Sequence, residues 1–105
     1  MPSEAENRRH PRHDTLQAVM VTPNGHQHAA RVMNLSLGGA RMSLPEHWLP
    51  DDGTALRVYF RIDEDEFALR GHVTRVTVDH LGIAFDPAQD DGIERLFAAL
   101  GLQTP

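Results

Sequence analysis

Two short groups of residues carry most of the chemistry this chain can offer. The first is Asn7-Arg8-Arg9-His10-Pro11-Arg12, in which Arg8 and Arg12 stand four positions apart. A guanidinium presents planar, forked donors that pair with phosphate, stack on a purine and keep their charge at any physiological pH. Pro11 disfavours helix and pushes His10 toward extended backbone. In an extended segment, residues four apart point the same way at roughly 13–14 Å separation. Arg8 and Arg12 are therefore suited to gripping well-separated groups of one ligand, or its opposite sides. Taken alone, arginines clustered in a tail are usually just solvated.

The second group is Asn34-Leu35-Ser36-Leu37-Gly38-Gly39. Asn34 and Ser36 share a parity, so extended backbone puts both on one side. An amide and a hydroxyl offer donors and acceptors without charge. Gly38 and Gly39 permit positive φ and let a ligand come close to the backbone. The same residues also fit an ordinary turn in which Asn and Ser satisfy nearby amides.

Other chemistries find less support. The chain has seven histidines and no cysteine. His26 and His28 could face one way in a hairpin, and His10 and His13 lie near the N-terminus, but no carboxylate accompanies them at a metal-binding spacing. No metal is expected. The carboxylates of Asp63, Glu64, Asp65 and Glu66 read as a solvated hairpin tip, and Ser36 has no base at a useful spacing. No catalytic residue is expected, and the chain reads as a non-enzyme.

Positioning the two groups falls to a series of short extended segments. Residues 15–22 and 28–35 flank Pro23-Asn24-Gly25, a strong hairpin signal. Residues 40–44 continue after the glycines. Residues 45–53 form a loop whose Trp48 and Leu49 are expected to fold back onto the body. Over residues 54–62, Leu56, Val58, Phe60 and Ile62 alternate with Arg57, Tyr59 and Arg61, a half-buried strand. Phe67, Leu69, Gly71 and Val73 alternate next. The phase then slips to Val76 and Val78, which predicts a bulge near Thr74-Arg75. Leu81, Ile83 and Phe85 make a last strand. Ile93, Leu96, Phe97 and Leu100 recur at helical spacing between Asp90-Asp91 and Gly101, an amphipathic helix.

Six strands and one helix imply an antiparallel sheet that closes into a barrel, which buries its apolar face and removes exposed edges. The expected fold class is therefore all-β with one C-terminal helix, a six-stranded antiparallel β-barrel. Residues 1–13 read as a flexible arm and residues 14–101 as the barrel with its helix.

At 105 residues the chain suffices for one small domain. Its net charge of −5 is unevenly spread. Residues 1–14 balance three arginines against three acids, residues 15–44 hold two arginines and no acid, and residues 45–105 set five arginines against twelve acids. All cations are arginine. The acidic balance opposes broad binding to a nucleic-acid polymer, because that needs many phosphate-neutralising cations. Tyr59 between Arg57 and Arg61 is the only hint of such a face. No apolar run is long enough to cross a bilayer, and residues 1–7 are polar, so no membrane insertion and a cytoplasmic location are expected.

In order and spacing, the two groups together resemble the PilZ domain family, bacterial receptors for the second messenger cyclic di-GMP. Arg8 and Arg12 match its Arg-x-x-x-Arg element, and Asn34, Ser36 and Gly39 match its (Asp/Asn)-x-Ser-x-x-Gly element. Gly71-His72-Val73-Thr74-Arg75-Val76 and Leu81-Gly82-Ile83-Ala84-Phe85 look like the family's late strands. The resemblance covers residues 7–100 and implies the same barrel. It also implies the ligand cyclic di-GMP and no separate cofactor. Arg8 and Arg12 would take phosphate and the guanine edge, whose O6 and N7 suit a guanidinium fork. Asn34 and Ser36 would meet base or phosphate groups, while Gly39 would shape the loop and admit the ligand. Arg9 is placed to add a contact that the motif does not require, and Arg9 or Arg41 could serve a stacked pair of ligands. The arm closing over the ligand would then signal to an unidentified downstream protein. The alternative is a PilZ-like protein-interaction module that does not bind the nucleotide.

Overall fold

The computed structural model describes residues 16–101. Its elements are β1 (Gln17–Val21), β2 (Gln27–Leu35), β3 (Gly39–Ser43), β4 (Ala55–Ile62), β5 (Asp65–Val76), β6 (His80–Phe85) and α1 (Asp90–Ala99). All neighbouring strands pair antiparallel in the order β1-β2-β3-β6-β5-β4, and β1 also pairs with β4, which closes the barrel. Closure satisfies every ladder and leaves no open sheet edge. The expected architecture, a six-stranded antiparallel barrel with a C-terminal helix, is the one observed.

The alternation read in β4 is the alternation of burial: Leu56, Val58, Phe60 and Ile62 point inward and Arg57 and Arg61 outward. Met20, Met42, Phe60 and Leu81 are wholly buried, each contributing roughly 1.5–3 kcal/mol through removal from water. Phe85 packs edge-on against Phe60 with ring centroids 6.3 Å apart. Ile93, Leu96, Phe97 and Leu100 carry the helix's apolar stripe into the same core.

The β1–β2 hairpin turns on a Gly25 N–H donated to the Thr22 carbonyl, with Gly25 at φ 90°. Pro23 and Asn24 hold ordinary negative φ, so glycine alone supplies the left-handed residue. At the acidic turn only Asp63 and Glu64 form the corner, since Asp65 and Glu66 already belong to β5.

Two expectations need correction. Trp48 does pack against the body, but Leu49 is 74% exposed, so only one of the pair folds back. Val78 does not extend the shifted strand: β5 ends at Val76, and Val78 is 96% exposed in the turn before β6.

The helix starts without a side-chain cap, because Gln89 is occupied elsewhere. Its Nε2 donates to the carbonyls of Arg70 and Asp86 at 2.7 and 2.9 Å, and its Oε1 accepts the Arg70 N–H at 2.8 Å. Asp90 and Asp91 compensate electrostatically in the first turn. Gln89 thus completes the ladder of β5 beyond the end of β6 and fixes where the helix leaves the barrel.

Candidate functional site

Two bulges decide which side chains reach the outer face. In β2, Ala30 and Val32 point inward, so strict alternation would send Asn34 into the core as well. The register instead shifts between Val32 and Asn34: Val32 faces Met42, Asn34 faces Arg41 and Leu35 faces Ala40. Met33 is the extra residue, and it turns Asn34 outward while returning Leu35 to the interior. A second shift lies between Val73 and Arg75, where Thr74 is the extra residue and Arg75 comes opposite Gly82. This is the bulge that the slipping apolar phase predicts.

Together the registers make one outward rung across four strands. Asn34 pairs with Arg41, Arg41 with Gly82, and Gly82 with Arg75. Two guanidiniums therefore flank a residue without a side chain, beside an amide. The rung forms part of an open cleft of about 310 Å³, whose lining also includes Ser36, Gly39, Thr74 and His80. Among the described residues, neither Arg41 nor Arg75 has an ion-pair partner, and the Asn34 amide has no hydrogen-bond partner. The cleft thus combines unpaired cations with unpaired neutral hydrogen-bonding groups.

Ser36 and Gly39 close the loop at one end. Ser36 donates its N–H to the Gly39 carbonyl at 2.9 Å, and its hydroxyl donates to the same oxygen at 3.3 Å. The hydroxyl proton is thereby directed into the loop, and the oxygen keeps lone pairs to accept from a ligand. At the other end, His80 Nδ1 lies 2.8 Å from Asp79 Oδ1 and 3.0 Å from Thr77 Oγ1. Hydrogen bonds from His80 and then Thr77 hold the Asp79 carboxyl below its usual range. An ionised Asp79 makes Nδ1 the donor, so in the neutral ring Nε2 is the acceptor.

The glycines depart from the expectation in their backbone. Neither Gly38 nor Gly39 has positive φ. Gly39 is the first residue of β3, and a Cβ there would lie 2.1 Å from the Ile83 carbonyl oxygen. It is needed so that β3 can approach β6. Gly38 sits exposed at the bend with open space around its Cα, and it does not line the cleft.

Of the residues singled out in the sequence, the fold brings Asn34, Ser36 and Gly39 together, with Arg41 beside them. Arg8, Arg9 and Arg12 lie outside the described residues. Arg75, Thr74, His80 and Gly82 were not anticipated as site residues. Their one signal was the phase slip at Thr74-Arg75, which foretold a bulge but not what the bulge would face.

Elsewhere, His26, His28, His47 and Trp48 line a second concavity, where the rings of His28 and Trp48 stack at 3.9 Å and 4°. No group of three or more potential ligands among the described residues could hold a metal ion. No described helix is long and apolar enough to cross a membrane.

Comparisons with known proteins give two findings. The family model described as "PilZ domain" matches residues 6–101. The fold is similar to the crystal structure of the PilZ domain of CeSA from a cellulose-synthesizing bacterium, with a TM-score of 0.74 and 17% sequence identity over 86% of this chain and 96% of that one. A search among curated proteins finds no match.

Proposed function

The chain belongs to the PilZ domain family, and from that premise we propose that it is a non-enzymatic receptor and adaptor for cyclic di-GMP, which it binds in the cleft of Asn34, Ser36, Arg41 and Arg75. The observation that carries this reading is the outward rung Asn34–Arg41–Gly82–Arg75. The messenger brings two phosphodiester charges and two guanines. Arg41 and Arg75 supply charge-assisted donors for phosphate or for the O6/N7 edge, and Gly82 between them leaves room for a flat base. Asn34 and Ser36 add the neutral donors and acceptors that read a base or a phosphate oxygen.

Arg8, Arg9 and Arg12 then close over the ligand from the other side. The chain's point of attachment supports that geometry: the Leu16 carbonyl accepts the N–H of Val32 at 2.8 Å, two residues before Asn34. From Leu16, Arg12 can reach about 13–14 Å and Arg8 about 26–29 Å in extended backbone. The arm therefore starts beside the cleft it has to cover. Closure changes the face the barrel shows to a downstream protein, which is how binding becomes a signal.

Titration calorimetry with cyclic di-GMP tests the reading. Arg12→Ala and Asn34→Ala should each lose about 1.5–3 kcal/mol, roughly ten- to a hundredfold in affinity. Wild-type affinity in both variants, or no binding by the native chain, overturns it. NMR relaxation of residues 1–13 should change on ligand addition, and identical relaxation in both states would remove the arm from the mechanism.

A further inference from the structure

The outer face of β1, β4 and β5 lies across the barrel from the messenger cleft, which is built on β2, β3, β6 and the far end of β5. Its rungs are Val21–Arg57–Arg70 and Val19–Tyr59–Ala68. Arg57 and Arg70 are direct cross-strand partners, and like charges so placed repel, with Cβ atoms only about 4.5–5.5 Å apart. Yet the chain carries 15 acids, and among the described residues neither guanidinium has one within ion-pair distance. Beside the pair runs a cleft of about 410 Å³, walled by the Thr22–Gly25 turn and floored by Val21, Leu56 and half-buried Tyr59. Asp86, at its margin, is already engaged by His72 Nδ1 at 3.1 Å.

We propose that this face is the docking surface for a partner protein and that it takes an acidic polypeptide segment, whose carboxylates pair with Arg57 and Arg70 while an apolar side chain rests on Tyr59. The proposal rests on the receptor reading only in assuming that the barrel signals to another protein. Barrel closure leaves no strand edge to be extended, so recognition has to go through outward side chains. Arginine and tyrosine over an apolar floor are the residues that dominate protein interfaces, and a guanidinium fork matches a carboxylate as a bidentate pair. Charge complementarity selects an anionic occupant. A nucleic-acid strand fits less well: its phosphate track needs a run of cations and stacking aromatics. Here there is one aromatic; Arg61, the other outward arginine of β4, is 3.8 Å from Glu66, and Arg75, at the far end of β5, lines the messenger cleft instead.

Fluorescence anisotropy of a labelled oligoglutamate peptide, titrated with the full chain at low salt, tests the assignment. The native protein should bind it, and the double variant Arg57→Glu/Arg70→Glu should weaken binding by about tenfold or more. Arg95→Glu, on the exposed side of α1, should leave it within about twofold. Calorimetry of the double variant with cyclic di-GMP should match the native chain, which separates failure of this surface from failure of the receptor reading. If the double variant does not fold by circular dichroism, Arg57→Gln/Arg70→Gln replaces it with the same criterion. Peptide binding that is absent, or indifferent to Arg57 and Arg70, overturns the proposal. So does an oligothymidylate that binds more tightly than the peptide through the same two arginines.

Discussion

Gly39→Ala separates a glycine needed by the protein from one needed by the ligand. The new Cβ would lie 2.1 Å from the Ile83 carbonyl oxygen and 3.2 Å from the Ala84 Cα, both backbone atoms that no rotamer change can move. Restoring ordinary contact requires β3 and β6 to part by roughly 1 Å or more, because carbon makes its best contacts near 3.5–4.0 Å. Hydrogen bonds tolerate much less than that. The bonds most exposed to the change are those across this seam: Phe85 N–H to the Gly38 carbonyl at 2.9 Å, and the neighbouring rung of the β3–β6 ladder at Ala40 and Ile83. Losing two backbone bonds and leaving their partners poorly satisfied costs about 2–4 kcal/mol. For a domain of this size that lowers Tm by roughly 10–25 °C. Gly38→Ala meets nothing within 4 Å and needs no left-handed backbone, so it should melt within about 0.5 kcal/mol of the native chain or slightly above it. Differential scanning calorimetry of the two variants reads the contrast directly. If Gly39→Ala melts with the native chain, the close approach of β3 to β6 is not what this glycine serves.

Three further outcomes follow from the geometry. Arg75→Ala should reduce cyclic di-GMP affinity about ten- to a hundredfold in calorimetry with Tm unchanged; native affinity would remove Arg75 from the site. Gln89→Ala removes all three bonds that tie the start of α1 to Arg70 and Asp86, and should cost about 1–2 kcal/mol in denaturant unfolding because water replaces part of what is lost. An unchanged midpoint would mean the helix is held by its apolar stripe alone. Burial, and then the nearby charge of His26, pushes the His28 pKa down, so the unfolded chain binds the proton more readily than the folded one. The stabilisation from keeping this ring neutral is complete above about pH 6.5 and shrinks as pH falls below it. Tm should therefore drop more between pH 7.5 and 5.5 in the native chain than in His28→Gln, and fluorescence of the single tryptophan, Trp48, should follow the same titration; equal slopes would refute it.

Much of this fold was legible because its strands alternate strictly where they are half-buried. Leu56 to Ile62 announced β4, Pro23-Asn24-Gly25 announced the first hairpin, and the spacing from Ile93 to Leu100 announced α1. The slip after Val73 announced one bulge, because apolar residues changed parity on either side of it. The bulge at Met33 left no such trace: Val32, Met33 and Leu35 are all apolar, so the pattern reads through it without a break. Asn34 and Ser36 were correctly placed on one side relative to each other, but which side that was depended on Met33. Arg75 and Gly82 could not be joined to Asn34 from sequence, since their adjacency is a product of barrel order, β2 to β3 to β6 to β5, and not of any local spacing. That neither Gly38 nor Gly39 uses positive φ has a related reason: a glycine can serve a special φ or a close neighbour, and only the neighbouring strand tells which.

Met33 and Thr74 are surplus to the pleat: neither takes a partner in the ladder, so many side chains could stand at either position and the rung would still face solvent. Excising one of them joins Val32 directly to Asn34, or Val73 to Arg75, and the even pleat that results still turns the polar residue outward. What such an excision removes is the local bend and added twist that a bulge gives its strand. Single-codon deletions at these two places should thus spare the interior and act on the curvature of the cleft floor, in contrast to deletions at paired positions, which would turn outward residues inward.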